Sequence, residues 1–497
     1  MILGQRDLPW WMTASLLTKE GLVSFSTSGH SFPHRFSHVH ASFLQKPGLA
    51  FSGALSEETI QAAFDAEGVD FAQEDDGIFT PEITVWAWLS QSLHKEELRS
   101  CLAAVARVAA LLIGLGRRPC SDSTSSTYCK ARAKVTEPVL RRLVYTVGDG
   151  CEHAVPEEWL WFGRHVKLLD GTTFGMPDTV TNQAEYPQSR SQEEGLGFPI
   201  TRGVVLISLA TAMITGLTLG PCAGKETGEM ALFRELLDRL EKGNIVLGDR
   251  YFCSYFMICL LQELGVDLVT LLHQRRTADF RKGARLGPGD HVVEWAKPER
   301  PEWMDETTYA RMPVTLRIRE VEVKVSKKGF RADVLVIVTT LLDARTYTRN
   351  DIADLYRQRW SVELDIRAIK CTMGLDVLRC QSPEMVRKEI WTGLLAYNLI
   401  RRTILQSAQA TGKLPRQVSF TAALQKIAAS WGTAPLSSEG VLNALINNVL
   451  KRLSQQRVGH RPDRIEPRAV KRRPKVLALL TVPRDQARAE LLAGKKK

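Results

Sequence analysis

The stretch from Asn350 to Gly374, NDIADLYRQRWSVELDIRAIKCTMG, reads as one long helix with two unlike faces, and it limits what the rest of the chain can be. Thr348 followed three residues on by Asp351 has the form of a capping box, Asn350 and Asp351 suit a first turn, and Gly374 suits the position just past the end. At about 100° per residue, Tyr356, Arg359, Glu363 and Lys370 fall within an arc of about 60°. Leu355, Val362, Ile366 and Ile369 fall on the arc next to it. One stripe can be buried while a phenol, a guanidinium, a carboxylate and an ammonium line up beside it. A lone row of this kind is ordinarily a solvated face with i,i+4 pairing. Tyrosine and tryptophan in the same turn suit that reading less well, since a solvated face seldom needs them.

The spacing Tyr356, two residues, Arg359, three residues, Glu363, six residues, Lys370 resembles the signature of DDE transposases of the insertion sequence 4 family. The flanks resemble that family too: TTLLDARTY before the helix, LYRQRWSVE within it and LLAYNLIRR after it. The resemblance runs from about residue 125 to about 405.

A chain of 497 residues is too long for a single core and suggests two to four domains. At 44% hydrophobic and 24% charged it has the make-up of an ordinary soluble protein. No apolar run reaches the roughly 18 residues of a membrane span, because Arg107 breaks LAAVARVAALLIGLG. The first residues, MILGQRDLPWWMTASL, lack the basic start and apolar middle of a signal peptide, so a cytoplasmic location, at the nucleoid when DNA-bound, is expected. Nine cysteines without a CxxC pair are expected to be reduced, small buried hydrophobes. Charge is distributed unevenly. Residues 451–497 hold 15 Lys and Arg against 4 Asp and Glu, a net of +11 that equals the net of the whole chain. Such a tail contacts a polyanion or serves as a solubilising end.

Residues 1–45 receive no role: His30, His34, His38 and His40 have Pro33 among them and no acidic or cysteine partner nearby. From Ser56 to about Leu143 the pattern is helical. Lys130, Arg132 and Lys134 follow a polar segment that can cap a helix facing phosphates, or a plain surface helix. VKLLD then reads as a buried strand with Asp170 at its C-terminal end, although an isolated Asp-Gly also suits a hairpin turn. TRGVVLISLATAM and ITGLTLGPC suit two more strands, ETGEMALFRELLDRLEKG a helix, and NIVLGDRYF a strand ending at Asp249. A helix through SYFMICLLQELG and a strand through DLVTLLH follow. Three strands, helix, strand, helix, strand is the order of a ribonuclease-H-like core, and carboxylates at strand ends stand where such open sheets hold their sites. Alternating apolar and charged residues from about His273 to Asp333 predict antiparallel strands.

The predicted fold class is therefore α/β: a ribonuclease-H-like catalytic core interrupted by a β-rich insertion, with an N-terminal helical domain and a basic C-terminal region. The expected division is 1–45 without assignment, 46–158 helical and concerned with DNA-end recognition, 159–272 and 336–405 the two parts of the core, 273–335 the insertion, and 406–497 the C-terminal region. The resemblance implies a catalytic and metal-binding set of Asp170, Asp249 and Glu363, two Mg²⁺ ions for which Mn²⁺ can substitute, and phosphate contacts from Tyr356, Arg359 and Lys370. Lys130, Arg132 and Arg250 are further candidate DNA contacts. Trp295 and Trp303 are candidates either for stacking a flipped base or for the core. The implied activity is cut-and-paste transposition, with cleavage at terminal inverted repeats and joining of 3′-hydroxyl ends to target DNA by a dimer on double-stranded DNA. A catalytically inactive DNA-binding relative and a ribonuclease-H-like structure-specific nuclease are the alternatives.

Overall fold

The computed structural model describes residues 55–71, 78–114, 124–324, 334–431, 439–458 and 480–494. The unassigned segment 1–45 with its histidines, and much of the basic tail including VKRRPK, lie outside the described residues.

Helices α1 (Glu57–Ala66), α2 (Pro81–Leu93), α3 (Cys101–Gly114), α4 (Ser126–Lys134) and α5 (Glu137–His153) come first. Ser56 caps α1 by accepting from the Thr59 amide, and Thr80 caps α2 by accepting from Ile83 with Pro81 in the first turn. Then come β1 (Val166–Gly175), α6 (Val180–Glu185), β2 (Ile200–Ser208), β3 (Ile214–Pro221), α7 (Glu229–Arg234), β4 (Ile245–Leu247), α8 (Tyr255–Glu263) and β5 (Asp267–Leu271). β6 (Ala284–Gly287), β7 (Asp290–Ala296), α9 (Glu306–Arg311), β8 (Thr315–Lys324) and β9 (Val334–Thr339) occupy the stretch read as an insertion and its exit. The helices α10 (Arg349–Arg357), α11 (Trp360–Arg367), α12 (Pro383–Gln409), α13 (Phe420–Trp431), α14 (Glu439–Gln455) and α15 (Arg484–Leu492) complete the described chain.

The strands form one mixed nine-stranded sheet in the order β3-β2-β1-β4-β5-β9-β8-β7-β6. β1, β2 and β3 make an antiparallel meander, β4 and β5 run parallel to β1, and β9 returns antiparallel to β5. Two features differ from the sequence reading. β1 does not stop at Asp170 but continues to Gly175, with Asp170 opposite Val205 and Gly171 opposite Val204, so Asp-Gly is neither a strand end nor a hairpin turn. The β-branched Thr172 and Thr173 and the aromatic Phe174 carry the strand onward. What ends is its neighbour β4, whose ladder with β1 covers only Val166 to Leu168. The insertion strands also share the sheet of the core, because β9 pairs with β5 on one edge and β8 on the other.

Each face of the sheet carries its own apolar core. On one face a cluster runs from Leu55 in the N-terminal region through Leu168, Ile207 and Ile245 to Leu453. On the other, Leu169, Val204 and Val246 pack with Phe233 of α7, Ile258 of α8 and Ile318 of β8. The alternation of Leu168 and Leu169 between the two clusters is the period of two that a strand covered on both faces requires.

α12 joins the N-terminal helices to the sheet and is buried along most of its 27 residues. Asn398 on it accepts from the Ile214 amide (2.9 Å) and donates to the carbonyls of Ile214 (3.0 Å) and Val144 (3.2 Å), tying β3 and α5 to one side chain. Gly148 lets α5 come that close, since a Cβ there would lie 2.6 Å from the Ile214 carbonyl oxygen. Among the described residues no helix is long and apolar enough to cross a membrane. Replacing Asn398 with Ala leaves the paired Ile214 amide and two carbonyls without that partner in a sealed interior, and is expected to cost about 2 kcal/mol or more. A urea-unfolding midpoint equal to that of the unaltered protein would show the tie to be dispensable.

Candidate active site

The parallel ladder of β1 with β4 pairs Val166 with Ile245, an offset of 245 − 166 = 79 residues, and Asp249 follows Asp170 by the same 249 − 170 = 79. Asp170 thus lies on a strand whose neighbour has just ended, and Asp249 lies on the turn by which that neighbour leaves the sheet. The Asp249 carboxylate accepts from the Tyr251 amide (2.8 Å) and caps the short 3₁₀ turn Arg250–Phe252, while its carbonyl accepts from Thr270 Oγ1 (2.5 Å). Asp170 accepts from the amide of Gly171 (2.8 Å).

The helix expected from Asn350 to Gly374 starts as predicted, with Thr348 and Asp351 forming a reciprocal capping box, and ends before Gly374 in the left-handed region at φ +77°. Between these points it is not uniform. The amides of Arg359 and Val362 bond three residues back, to Tyr356 (3.0 Å) and Arg359 (3.1 Å), which separates α10 from α11, and residues 368–372 form a π-helical turn. An even 100° step therefore fails across this stretch. Arg359 still meets Glu363, donating Nη2 to Oε1 at 2.8 Å, and its Nη1 lies 3.8 Å from Asp170 Oδ2. One guanidinium thus stands between carboxylates 193 residues apart in the chain (363 − 170). Lys370, beyond the tightened turn, donates to the Thr173 carbonyl of β1 (2.7 Å) with its ammonium 5.9 Å from the centre of the Phe174 ring.

Burial, with the charges of Asp249 and Glu363 adding to it, pushes the Asp170 carboxyl up to about 6 against the pull of the Gly171 amide and Arg359. Burial likewise raises the Tyr356 phenol to about 12, with Arg359 opposing and Asp249 adding to the rise. Asp170 thus senses the charges of both other acids. Among the described residues no three His, Cys, Asp or Glu side chains are already gathered closely enough to hold a metal ion. The donor set still suits a hard divalent cation: it is all oxygen, Asp170 is costly to ionise beside its like-charged neighbours, and Arg359 is the counter-ion that a cation would replace.

The remaining sequence candidates are scattered. Arg250 is exposed on the Asp249 turn and its charge reaches Tyr356. Lys130 is exposed on α4. Arg132 stacks over Trp88, 5.0 Å from the ring centre, and points Nη1 at Gln91 Oε1 (3.4 Å), so packing already engages it. It lines a cavity of about 540 Å³ with Arg99, Arg379 and Glu389. Trp295 is a core residue: it is buried, donates to Glu320 (3.3 Å), and Arg276 covers its ring at 3.9 Å, so the base-stacking alternative has no open ring face there. Trp303 is half-buried, with Arg234 at 4.0 Å over its ring. Sequence reasoning passed over Glu229 and Arg202. Glu229 presses its carboxylate against Gly171, and the charges of Arg202 and Asp249 both act on it. In the sequence it is only an acid in the first turn of a helix, which is ordinary.

Residues 161–399 match the family model described as Transposase DDE domain, a span that opens just before β1, ends within α12 and contains Asp170, Asp249 and Glu363. That match, over just under half of the chain, supports a transposase of the DDE type. It is 26% identical over 401 residues to "Transposase InsG for insertion sequence element IS4" of Escherichia coli strain K12, across 79% of this chain and 85% of that one. A 65-residue stretch, 13% of this chain and 18% of the relative, is 38% identical to "Transposase for insertion sequence element IS421" of Escherichia coli. Together with the domain match, this likeness supports a transposase of the insertion sequence 4 type. The piggyBac transposase synaptic complex with hairpin DNA aligns at a TM-score of 0.41 and 11% identity, covering 83% of this chain and 85% of that one. A likeness that loose leaves the architecture to be read from the strand order itself.

Because the fold holds the Asp170 proton more tightly than the unfolded chain does, the cost of ionising Asp170 is absent well below pH 4 and grows as pH rises through about 6. In chelator, Asp170→Asn should therefore stabilise the protein by on the order of 1–3 kcal/mol at about pH 7.5 and by much less at about pH 4.5. Thermal midpoints at the two pH values check this, and equal gains at both would contradict it.

Proposed function

We infer that this transposase excises its insertion sequence by divalent-cation-dependent cleavage at the terminal inverted repeats and joins the freed 3′-hydroxyl ends to target DNA. The observation that supports the reading is that Asp170, in mid-strand, feels the charges of Asp249 at a strand exit and of Glu363 on a helix. The antiparallel meander β1–β3 followed by parallel β4 and β5 supports a ribonuclease-H-like description of that core. Two Mg²⁺ or Mn²⁺ ions, when bound, supply an activated attacking oxygen and a stabilised leaving oxygen.

The chain's own residues divide the remaining work. Asp170 and Asp249 would hold cations from neighbouring segments of the sheet, and Glu363 would do so from α11. Arg359, if relieved of its two carboxylates by cations bound there, would be free for two-pronged hydrogen bonding to a phosphate of the transposon-end strand. Tyr356 stays protonated at neutral pH and donates to a phosphate oxygen, while Lys370, held on β1, supplies a fixed positive charge. Lys130, Arg250 and the basic tail contribute further backbone contacts, which position DNA without reading its sequence. Cutting at two ends calls for a pair of protomers on DNA, acting in the cytoplasm.

Incubating a donor plasmid that carries the element with purified protein and Mg²⁺ should yield cleavage at both ends and joined products. Glu363→Ala is expected to lower both by at least 10³-fold, the order lost when charge stabilisation of a transition state is removed. Full cutting by that variant would end the proposal, and cutting without joining would favour a nuclease. Arg359→Ala should bind Mn²⁺ several-fold more tightly without DNA, since the ion no longer competes with a guanidinium, yet should bind transposon-end DNA more weakly. Weaker binding of both ligands would show that Arg359 does not trade one partner for the other.

A further inference from the structure

Glu229 is the first residue of α7, the helix that follows β3, and its carboxylate rests on the backbone of β1 next to Asp170. A Cβ placed on Gly171 would come within 2.3 Å of Glu229 Cδ and Oε1 and 2.8 Å of Oε2. A side chain there would push the flexible end of Glu229 aside, so the bare glycine after Asp170 leaves room for a fourth acid. The acid has little reason to be there as a structural group. Among the described residues its side chain makes no hydrogen bond or ion pair, although it is half-buried. Arg202, the cation that acts on it, spends Nη1 on the Thr227 carbonyl (2.7 Å). Asp249 repels it. The charge of Arg202 draws on the acid more than Asp249 repels it, yet burial still weighs against its ionised form, and a divalent cation would relieve that cost.

We propose that Glu229 is a fourth oxygen donor of the catalytic centre, seated on Gly171 so that it faces the divalent cation held by Asp170 and Asp249. This rests on the cation-binding reading above. The chemistry favours it on two counts. A divalent cation is satisfied by oxygen ligands and waters, and an additional carboxylate within reach contributes either directly or by holding a bound water in place. Glu229 also approaches from α7, whereas Glu363 approaches from α11, so a cation would be held by residues from four separate segments. Its position then survives the departure of Arg359 when the site loads. Arg202 is a tether for the α7 turn rather than a permanent partner for the acid.

The test measures Mn²⁺ binding to the full-length, DNA-free protein by calorimetry and by the electron paramagnetic resonance of free Mn²⁺. Glu229→Gln keeps the shape and removes the charge, and should weaken Mn²⁺ binding by roughly 10-fold or more. Gly171→Ala pushes the same carboxylate off its seat without altering any charge, and should weaken binding comparably. Both variants are first compared with the unaltered protein by thermal midpoint, and Glu229→Gln in chelator should melt no lower, because it removes an unpartnered charge. Unchanged Mn²⁺ affinity in Glu229→Gln, while Asp170→Asn loses binding, would overturn the proposal and leave the three-acid reading standing. Unchanged affinity in Asp170→Asn as well would instead overturn the cation site on which it rests. Lower affinity confined to Gly171→Ala would show a disturbed strand and would also count against Glu229.

Discussion

The parallel pairing of β1 with β4 is the constraint on which the site depends. Three register pairs at a constant offset of 79 residues bring the segment carrying Asp249 alongside the one carrying Asp170. The two strands then part, because β4 ends at Leu247 while β1 continues to Gly175. A strand that has lost one neighbour presents side chains at an edge that the sheet no longer fills, and the aspartates stand there. The ladder itself is held by burial on both faces: Leu168 and Ile245 point into one core, Leu169 and Val246 into the other. A slip of one residue would exchange the two faces and move Asp170 out of line with Asp249, so packing sets the register of the chemistry.

α12 does for the helical part what the ladder does for the sheet. It is too thoroughly buried to be an amphipathic surface helix, and it meets its polar obligations side chain by side chain. Asn398 serves β3 and α5, Trp391 donates to Glu137 (3.1 Å), and Tyr397 donates to the Ala212 carbonyl (3.0 Å). Buried polar groups paired in this way favour one docking of the N-terminal helices over its neighbours. The N-terminal helices and one face of the sheet consequently share a continuous apolar cluster.

At the candidate site, burial and like charge weigh on Asp170 while Arg359 opposes them. Arg359 reaches two of the acids but cannot neutralise all of them, and Asp170 is left with its carboxyl near 6. The helix irregularities matter here. The shortened bonds at Arg359 and Val362 and the π-helical turn at 368–372 separate Lys370 from the other three residues of the motif and hand it to the Thr173 carbonyl. Without that change of winding the four groups would form one stripe; with it they grip β1 at two levels.

Local chemistry wrote much of this into the chain directly. The capping box at Thr348, the left-handed Gly374, the caps at Ser56 and the β-branched strands follow from residues within a few positions of one another, so they were legible without coordinates. The motif Tyr356, Arg359, Glu363, Lys370 and its flanks carried the resemblance to the family. Other features depend on partners far along the chain. That β1 runs on past Asp170 is decided by its antiparallel partner β2, that the insertion joins the core sheet is decided by β9 lying between β5 and β8, and that Trp295 belongs to the core is decided by Glu320 and Arg276 closing around it. Glu229 is the sharpest case. In sequence it is an unremarkable first-turn acid, and only the close approach of α7 to a glycine 58 residues earlier (229 − 171) sets it beside Asp170, because steric room and charge neighbours are properties of space rather than of order along the chain.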